Sequence, residues 1–112
     1  MKKLEIIIKP DKLETLKSIL DECNCGGMTI MAVMGCGKQK GTVNEIKGLK
    51  VNINLLPKIQ VNTVIVDELL DNVLIRIQEV ISTNHVGDGK VFVYDVCDVM
   101  RIRTGERGEK VL

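Results

Sequence analysis

Residues Gly87-Asp88-Gly89-Lys90, set directly before the strand-forming run Val91, Phe92 and Val93, place two glycines and a lysine in one tight turn. Glycine lets backbone N–H groups turn inward as a small concave nest for an anion, and a nearby ammonium adds charge. A second glycine-punctuated stretch, GCGKQKG from Gly35 to Gly41, brings Lys38 and Lys40. A third, MRIRTGERG, puts Arg101 and Arg103 on one side of an extended segment. The arginine fork matches phosphate oxygens two at a time, so these groups together suit a polyphosphate. The glycine turns taken alone are equally compatible with ordinary hairpins and solvated lysines.

Neither glycine stretch is a familiar nucleotide fingerprint. GCGKQKG reads Gly-x-Gly-x-x-x-Gly and follows a strand without opening a helix. A phosphate loop of the P-loop type needs Ser or Thr after its lysine and then a helix, whereas Lys90 is followed by Val91 and a strand. No histidine–carboxylate pair lies at useful spacing, and no serine or cysteine has a recognisable base, so the residues point to binding without turnover. A small nucleotide-using enzyme and a purely structural trimer are the alternatives from other classes. The four cysteines (Cys23, Cys25, Cys36, Cys97) include no Cys-x-x-Cys pair and His85 is the sole histidine. Reduced, partly buried thiols are expected in place of a structural metal centre.

These groups must be positioned by one domain spanning residues 1–112. Sixteen basic and fifteen acidic residues give a net charge of +1, so no global field recruits nucleic acid or membrane. The longest apolar runs fall far below the ~20 residues that span a bilayer. No signal peptide is recognisable at the start of the chain, and a cytoplasmic location is expected. KLEIIIKP is a strand with Leu4, Ile6 and Ile8 on one face. DKLETLKSILDECN carries Leu13, Leu16, Leu20 and Cys23 at helical spacing, with Asp11 as the expected N-cap and Glu14 completing a capping box. MTIMAVMG is the second strand, KIQVNTVIV the third and KVFVYDVCDVM the fourth. Between the last two lies a helix with Leu70, Val73, Leu74, Ile77 and Ile81 on one stripe and Asp67 as its candidate cap. A polar stretch without sustained period, a flexible loop over about 38–55, separates the second and third strands, and a tail occupies about 100–112. The order is βαββαβ, an α+β ferredoxin-like fold with a four-stranded antiparallel sheet.

Two helices cover one face of such a sheet. Ile7, Met31, Val33, Val64 and Val66 alternate with the core residues and make the second face apolar as well. A contiguous exposed apolar face invites association, so a homo-oligomer is expected. The same strand order occurs in RNA-recognition domains, which stack bases on aromatics of central strands. Here Phe92 and Tyr94 are the only aromatics, and they fall on the fourth strand, at the sheet edge. No nucleic acid partner is expected.

Over essentially its whole length the chain resembles the PII nitrogen-regulatory signal proteins. TNHVGDGKVFV (Thr83 to Val93) fits the family's C-terminal signature, and GCGKQKG, LLPK and RIRTGE fall where the family has near-identical motifs. The resemblance implies a homotrimer with its sheets packed inward, binding ATP or ADP in clefts between subunits. It also implies sensing of 2-oxoglutarate through a magnesium ion held by the ATP phosphates. Carried over residue by residue, Gly87, Asp88, Gly89 and Lys90 form the phosphate-side loop, with Arg101 and Arg103 reaching the phosphates. Thr29, Gly35, Cys36, Gly37, Lys38 and Val64 line the nucleotide. Gln39 completes the magnesium chelate, Lys40 and Gly41 join the oxoglutarate site, and Lys58 pairs with the acid's far carboxylate.

The departures from the family pattern carry their own implications. Many bacterial members have Tyr-Lys/Arg-Gly-Ala/Ser-x-Tyr in the long loop, its last tyrosine being a nucleotidylylation site. Here the stretch is IKGLKV (Ile46 to Val51), so Val51 offers no phenol, and the loop contains no serine for the phosphoserine variant of the switch. Regulation by ligand-controlled loop conformation alone is expected. Cys36 stands where the family often has an aromatic or basic residue, and Lys38 where arginine is commoner. The GLKVNINLLPK exit, with Lys47 just before it, favours an ammonium transporter as the target, the only route to a membrane. Direct regulation of nitrogenase or glutamine synthetase is the alternative target, favoured by the missing tyrosines.

Overall fold

In a computed structural model, residues 1–36, 43–46, 49–52 and 55–112 are described. The principal elements are β1 (Lys2–Ile8), α1 (Leu13–Glu22), β2 (Thr29–Cys36), β3 (Val43–Ile46), β4 (Leu49–Asn52), β5 (Leu55–Ile65), α2 (Leu70–Ile81) and β6 (Gly89–Asp95). Four strands form one antiparallel sheet in the order β2-β5-β1-β6. This is the expected ferredoxin-like arrangement, with β6 at an edge.

The alternation within β1 explains the core. Leu4, Ile6 and Ile8 are at most 2% exposed and meet Val61 and Ile65 of β5 beneath the helices. Leu16, Ile19 and Leu20 of α1 and Val73, Ile77 and Ile81 of α2 close the layer from above. Full burial of each such side chain stabilises the fold by about 1.5–3 kcal/mol. Thr63 is buried in this layer and donates its hydroxyl to the Gly27 carbonyl at 3.0 Å, so its polar group has a partner. Arg76 of α2 reaches Glu22 of α1 at 3.0 Å and ties the helices together at their surface.

Several boundaries differ from the expected ones. Both helices begin with 3-10 turns, Pro10–Lys12 and Asp67–Leu69, and neither α-helix has a side-chain cap. Asp11 is therefore not an N-cap. Pro10 sets a helical φ one residue earlier, and the Lys12 N–H bonds the Lys9 carbonyl instead. Asp67 is likewise not the cap: its carboxylate lies 3.0 Å from the Met1 ammonium. β5 starts at Leu55, ahead of Pro57, because this part runs past the end of β1 and pairs with β2 alone. Proline is tolerated where a strand has a single neighbour. β6 ends at Asp95, and the chain beyond it folds into a turn closed by a Met100–Arg107 bridge.

Two four-residue strands fall within the span expected as an irregular loop. β3 and β4 pair antiparallel, Val43 with Asn52 and Ile46 with Leu49, and Val51 lies in β4 opposite Asn44. Lys47 lies outside the described residues.

The second sheet face is more polar than its alternating pattern implies. Met31 is 40% exposed, Phe92 45% and Tyr94 47%, and Val64 and Ile7 are half-buried. At its centre, though, the Gln60 amide donates to Glu5 and Asn62 at 3.2 Å each, and the Tyr94 hydroxyl donates to Glu5 at 3.4 Å. Lys3 sits over the Tyr94 ring, 5.5 Å from its centre. The apolar side chains surround a hydrogen-bonded polar group.

Candidate functional site

The Thr83–Lys90 loop is shaped from within. The Asp88 carboxylate accepts bonds from the Thr83 N–H, at 2.7 Å, and from the Thr83 hydroxyl, closing the turn on itself. These bonds hold its carboxyl below the usual carboxylate range. Gly87 and Gly89 adopt φ of +102° and +111°. At Gly89 a Cβ would stand 1.8 Å from the Ile7 carbonyl oxygen, so only glycine fits where the loop enters β6.

Across the sheet, Lys58 of β5 donates from Nζ to the Gly87 carbonyl at 2.9 Å. Gly35 of β2 makes room for the lysine, since a Cβ there would meet Lys58 Cγ at 3.1 Å. The result is a cleft of about 570 Å³ lined by Gly35, Cys36, Lys58, Gly87, Gly89 and Lys90. Ile7, Leu56, Val86 and Phe92 supply its apolar wall. Two lysines, a glycine turn and no carboxylate among the described lining residues make this a place for an anion. The cleft thus unites, from segments far apart in sequence, six residues that the sequence marked.

Other marked residues lie elsewhere. Asp88 does not line the cleft; it belongs to a groove beside α2 with Gln78 and Ser82. Thr29 and Val64 line a separate hollow of about 250 Å³ with Lys3, Val111 and Leu112. Gly89 pairs with Ile8, while Asp95 pairs with Lys2 at the other end of β1. At ~3.3 Å per residue those ends are about 20 Å apart. Arg101 and Arg103 follow Asp95 and do not line the cleft. Arg101 is instead paired with Glu106 at 2.9 Å. Gly37, Lys38, Gln39, Lys40 and Gly41 lie outside the described residues.

The apolar wall was missed in the sequence, although one signal for it was present: Phe92 shares a face with Lys90 two residues before it. The cysteines remain thiols. Cys23 is buried, Cys36 and Cys97 are exposed, and the Cys25 thiol is pushed up to about 11 by burial and by neighbouring Cys23. Among the described residues no three His, Cys, Asp or Glu side chains gather as metal ligands. No described helix is long and apolar enough to cross a membrane.

Fold and cleft define a ferredoxin-like domain with an anion-complementary site at one end of its sheet. The family model for nitrogen regulatory protein P-II matches residues 1–106. A nitrogen regulatory protein P-II of Pasteurella multocida (strain Pm70) is 43% identical over 112 residues, the whole of both chains. The P-II 2 protein of Methanothermobacter thermautotrophicus is 42% identical over all of this chain and 97% of its own. The P-II 1 protein of Escherichia coli (strain K12) is 39% identical over the whole of both chains. The chain belongs to the nitrogen regulatory protein P-II family.

Proposed function

We propose that the chain is a non-catalytic nitrogen and energy signal transducer that binds ATP or ADP between subunits of a homotrimer. The carrying observation is the cleft itself, where Gly87, Gly89, Lys90 and Lys58 converge on one space of about 570 Å³ beside an apolar wall. The polyphosphate lies against the glycine turn and Lys90. Arg101 and Arg103, carried in the turn beyond the far end of β6 in one copy, reach it from a neighbour, together with Thr29 and Val64. Two half-sites at opposite ends of one sheet favour such a composite, as do the exposed Met31, Phe92 and Tyr94 on the uncovered face.

2-Oxoglutarate is the second effector in this reading. Lys58 and Lys90 attract anions and repel a bare cation, so magnesium fits only as a passenger of the nucleotide phosphates. Gln39 completes its coordination, and Lys40, Gly41 and Lys58 receive the acid. With Val51 in place of a modifiable tyrosine, the ligands act directly on the segment bearing β3 and β4, which contacts the target. An ammonium transporter is the target proposed, with nitrogenase or glutamine synthetase as the second reading, and the cytoplasm is the compartment. Calorimetry with ATP, then 2-oxoglutarate, with and without magnesium, tests this. Saturable ATP binding that admits 2-oxoglutarate only with magnesium supports it; no heat with ATP overturns it.

A further inference from the structure

We propose that Glu106 is a built-in competitor for Arg101, weakening each phosphate ligand according to that ligand's negative charge and so narrowing the preference for ATP over ADP. The inference rests on the proposed role of Arg101 as a phosphate ligand.

The turn that carries Arg101 does not need the Glu106 carboxylate. Its neck is closed by the backbone, with the Arg101 N–H donating to the Glu106 carbonyl at 2.8 Å and the Gly108 N–H to the Val99 carbonyl at 3.0 Å. The Gly105 N–H returns to the Arg101 carbonyl at 2.8 Å, and the Thr104 hydroxyl accepts the Glu106 N–H at 3.2 Å. Beside the neck, Arg107 Nε donates to Asp98 at 2.7 Å, a pair that draws the Asp98 carboxyl below its ordinary range. Backbone bonds, the bridge and Asp98–Arg107 already fix the turn.

The Glu106 side chain does one further thing. Oε1 lies 2.9 Å from Arg101 Nη1 and offsets part of the guanidinium charge that an approaching anion would meet. Both side chains are roughly two-fifths exposed, at 38% and 43%, so the contact is open to exchange. Arg103, at the tip of the same turn, has no ion-pair partner among the described residues. Of the two arginines, only Arg101 has its charge engaged by a described residue. A carboxylate held there repels a triphosphate more than a diphosphate, because the repulsion scales with ligand charge.

The test is calorimetric titration with ATP and with ADP of the parent, Glu106→Gln, Glu106→Asp, Arg101→Ala and Arg101→Ala/Glu106→Gln, each checked by thermal melting. Glutamine keeps the acceptor oxygen and removes the charge. Glu106→Gln should tighten ATP about two- to fivefold, the worth of an exposed ion pair, and ADP less. The gain should shrink at high salt, be absent in Glu106→Asp and vanish in the Arg101→Ala background. If Glu106→Gln melts well below the parent, Glu106→Ala is read in its place. Unchanged or weaker ATP binding in a folded charge-removed variant overturns the proposal, as does a gain that persists without Arg101. A parent that binds no ATP removes the phosphate reading itself, a result distinct from parent binding that Glu106 does not alter.

Discussion

The Lys58 ammonium donates to the Gly87 carbonyl at 2.9 Å, joining two segments 29 residues apart in sequence. One lysine therefore fixes the position of the glycine turn and stands on the floor of the cleft that the turn lines. An acidic ligand arriving at Lys58 competes with that carbonyl, so ligand occupancy and loop position are physically joined.

Lys90→Ala and Arg103→Ala should each weaken ATP binding about ten- to a hundredfold, the worth of a charge-assisted phosphate contact. Neither side chain contributes to the buried core, so melting temperatures should stay near the parent's. Calorimetry alongside thermal melting checks both; parent-like ATP affinity in both variants removes the phosphate assignment.

Gly89→Ala should be the most damaging single-methyl change in the cleft. The added Cβ would occupy a point 1.8 Å from the Ile7 carbonyl oxygen at a φ of +111°, forcing β6 away from β1. A loss of about 2–4 kcal/mol is expected, about 10 °C in melting temperature. Gly105→Ala, at φ +74° but with nothing within 4 Å, should lose only about 1–2 kcal/mol. Equal losses at the two positions would contradict the close-approach argument.

Asp88 gives the loop an acid limit. Its bonds from Thr83 favour the carboxylate, so the folded pKa lies below the unfolded value of about 3.9. A depressed carboxyl stabilises fully above the unfolded pKa, and that contribution is lost as pH falls through the folded pKa. The loop should therefore hold at neutral and mildly acidic pH and loosen only in stronger acid. NMR titration of the Asp88 carboxyl should find the lowered midpoint, and Thr83→Ala should return it toward that of an ordinary aspartate.

The residues explain which of these features were visible in the chain itself. Period-two spacing of Leu4, Ile6 and Ile8 and the helical stripe of Val73, Ile77 and Ile81 encode burial directly, so both appear as expected. The caps do not, because Pro10 and Asp67 open 3-10 turns whose backbone bonds replace the side-chain ones. β3 and β4 are short and carry no sustained alternation, and their pairing was invisible until each found its partner. At the site, residue type marked Gly87, Gly89, Lys90 and Gly35, the family resemblance added Cys36 and Lys58, and strand register brought them together. Register equally sends Thr29 and Val64 toward the other end of the sheet, and the arginines follow in a turn past the end of β6, a separation no motif spacing expresses.

Val64→Asp and Met31→Lys test the uncovered face. In a lone subunit Val64 is half-buried and Met31 is 40% exposed, so neither charge should unfold the domain. In an assembly that buries this face, each leaves a charge without a partner, at several kcal/mol per subunit. Light scattering should find a trimeric parent and dissociated or aggregated variants. A soluble monomeric parent would end the composite-site reading.

The last prediction joins the two proposed effectors. 2-Oxoglutarate can bias the segment bearing β3 and β4 only through different affinities for its conformations. It should bind measurably only with Mg-ATP in place, and ADP should not substitute, since it lacks the γ-phosphate oxygen needed for the chelate. Linkage then requires that saturating 2-oxoglutarate tighten ATP by the same factor by which ATP tightens 2-oxoglutarate. Lys58→Ala should bring that factor to one. Because Lys58 also holds the Gly87 carbonyl, the variant's absolute ATP affinity should fall as well. The coupling factor is therefore the quantity to read: ATP affinity measured at zero and saturating 2-oxoglutarate, in parent and variant. A parent whose ATP affinity ignores 2-oxoglutarate senses the adenylate ratio alone, and a variant that keeps the parent's factor places the acid away from Lys58.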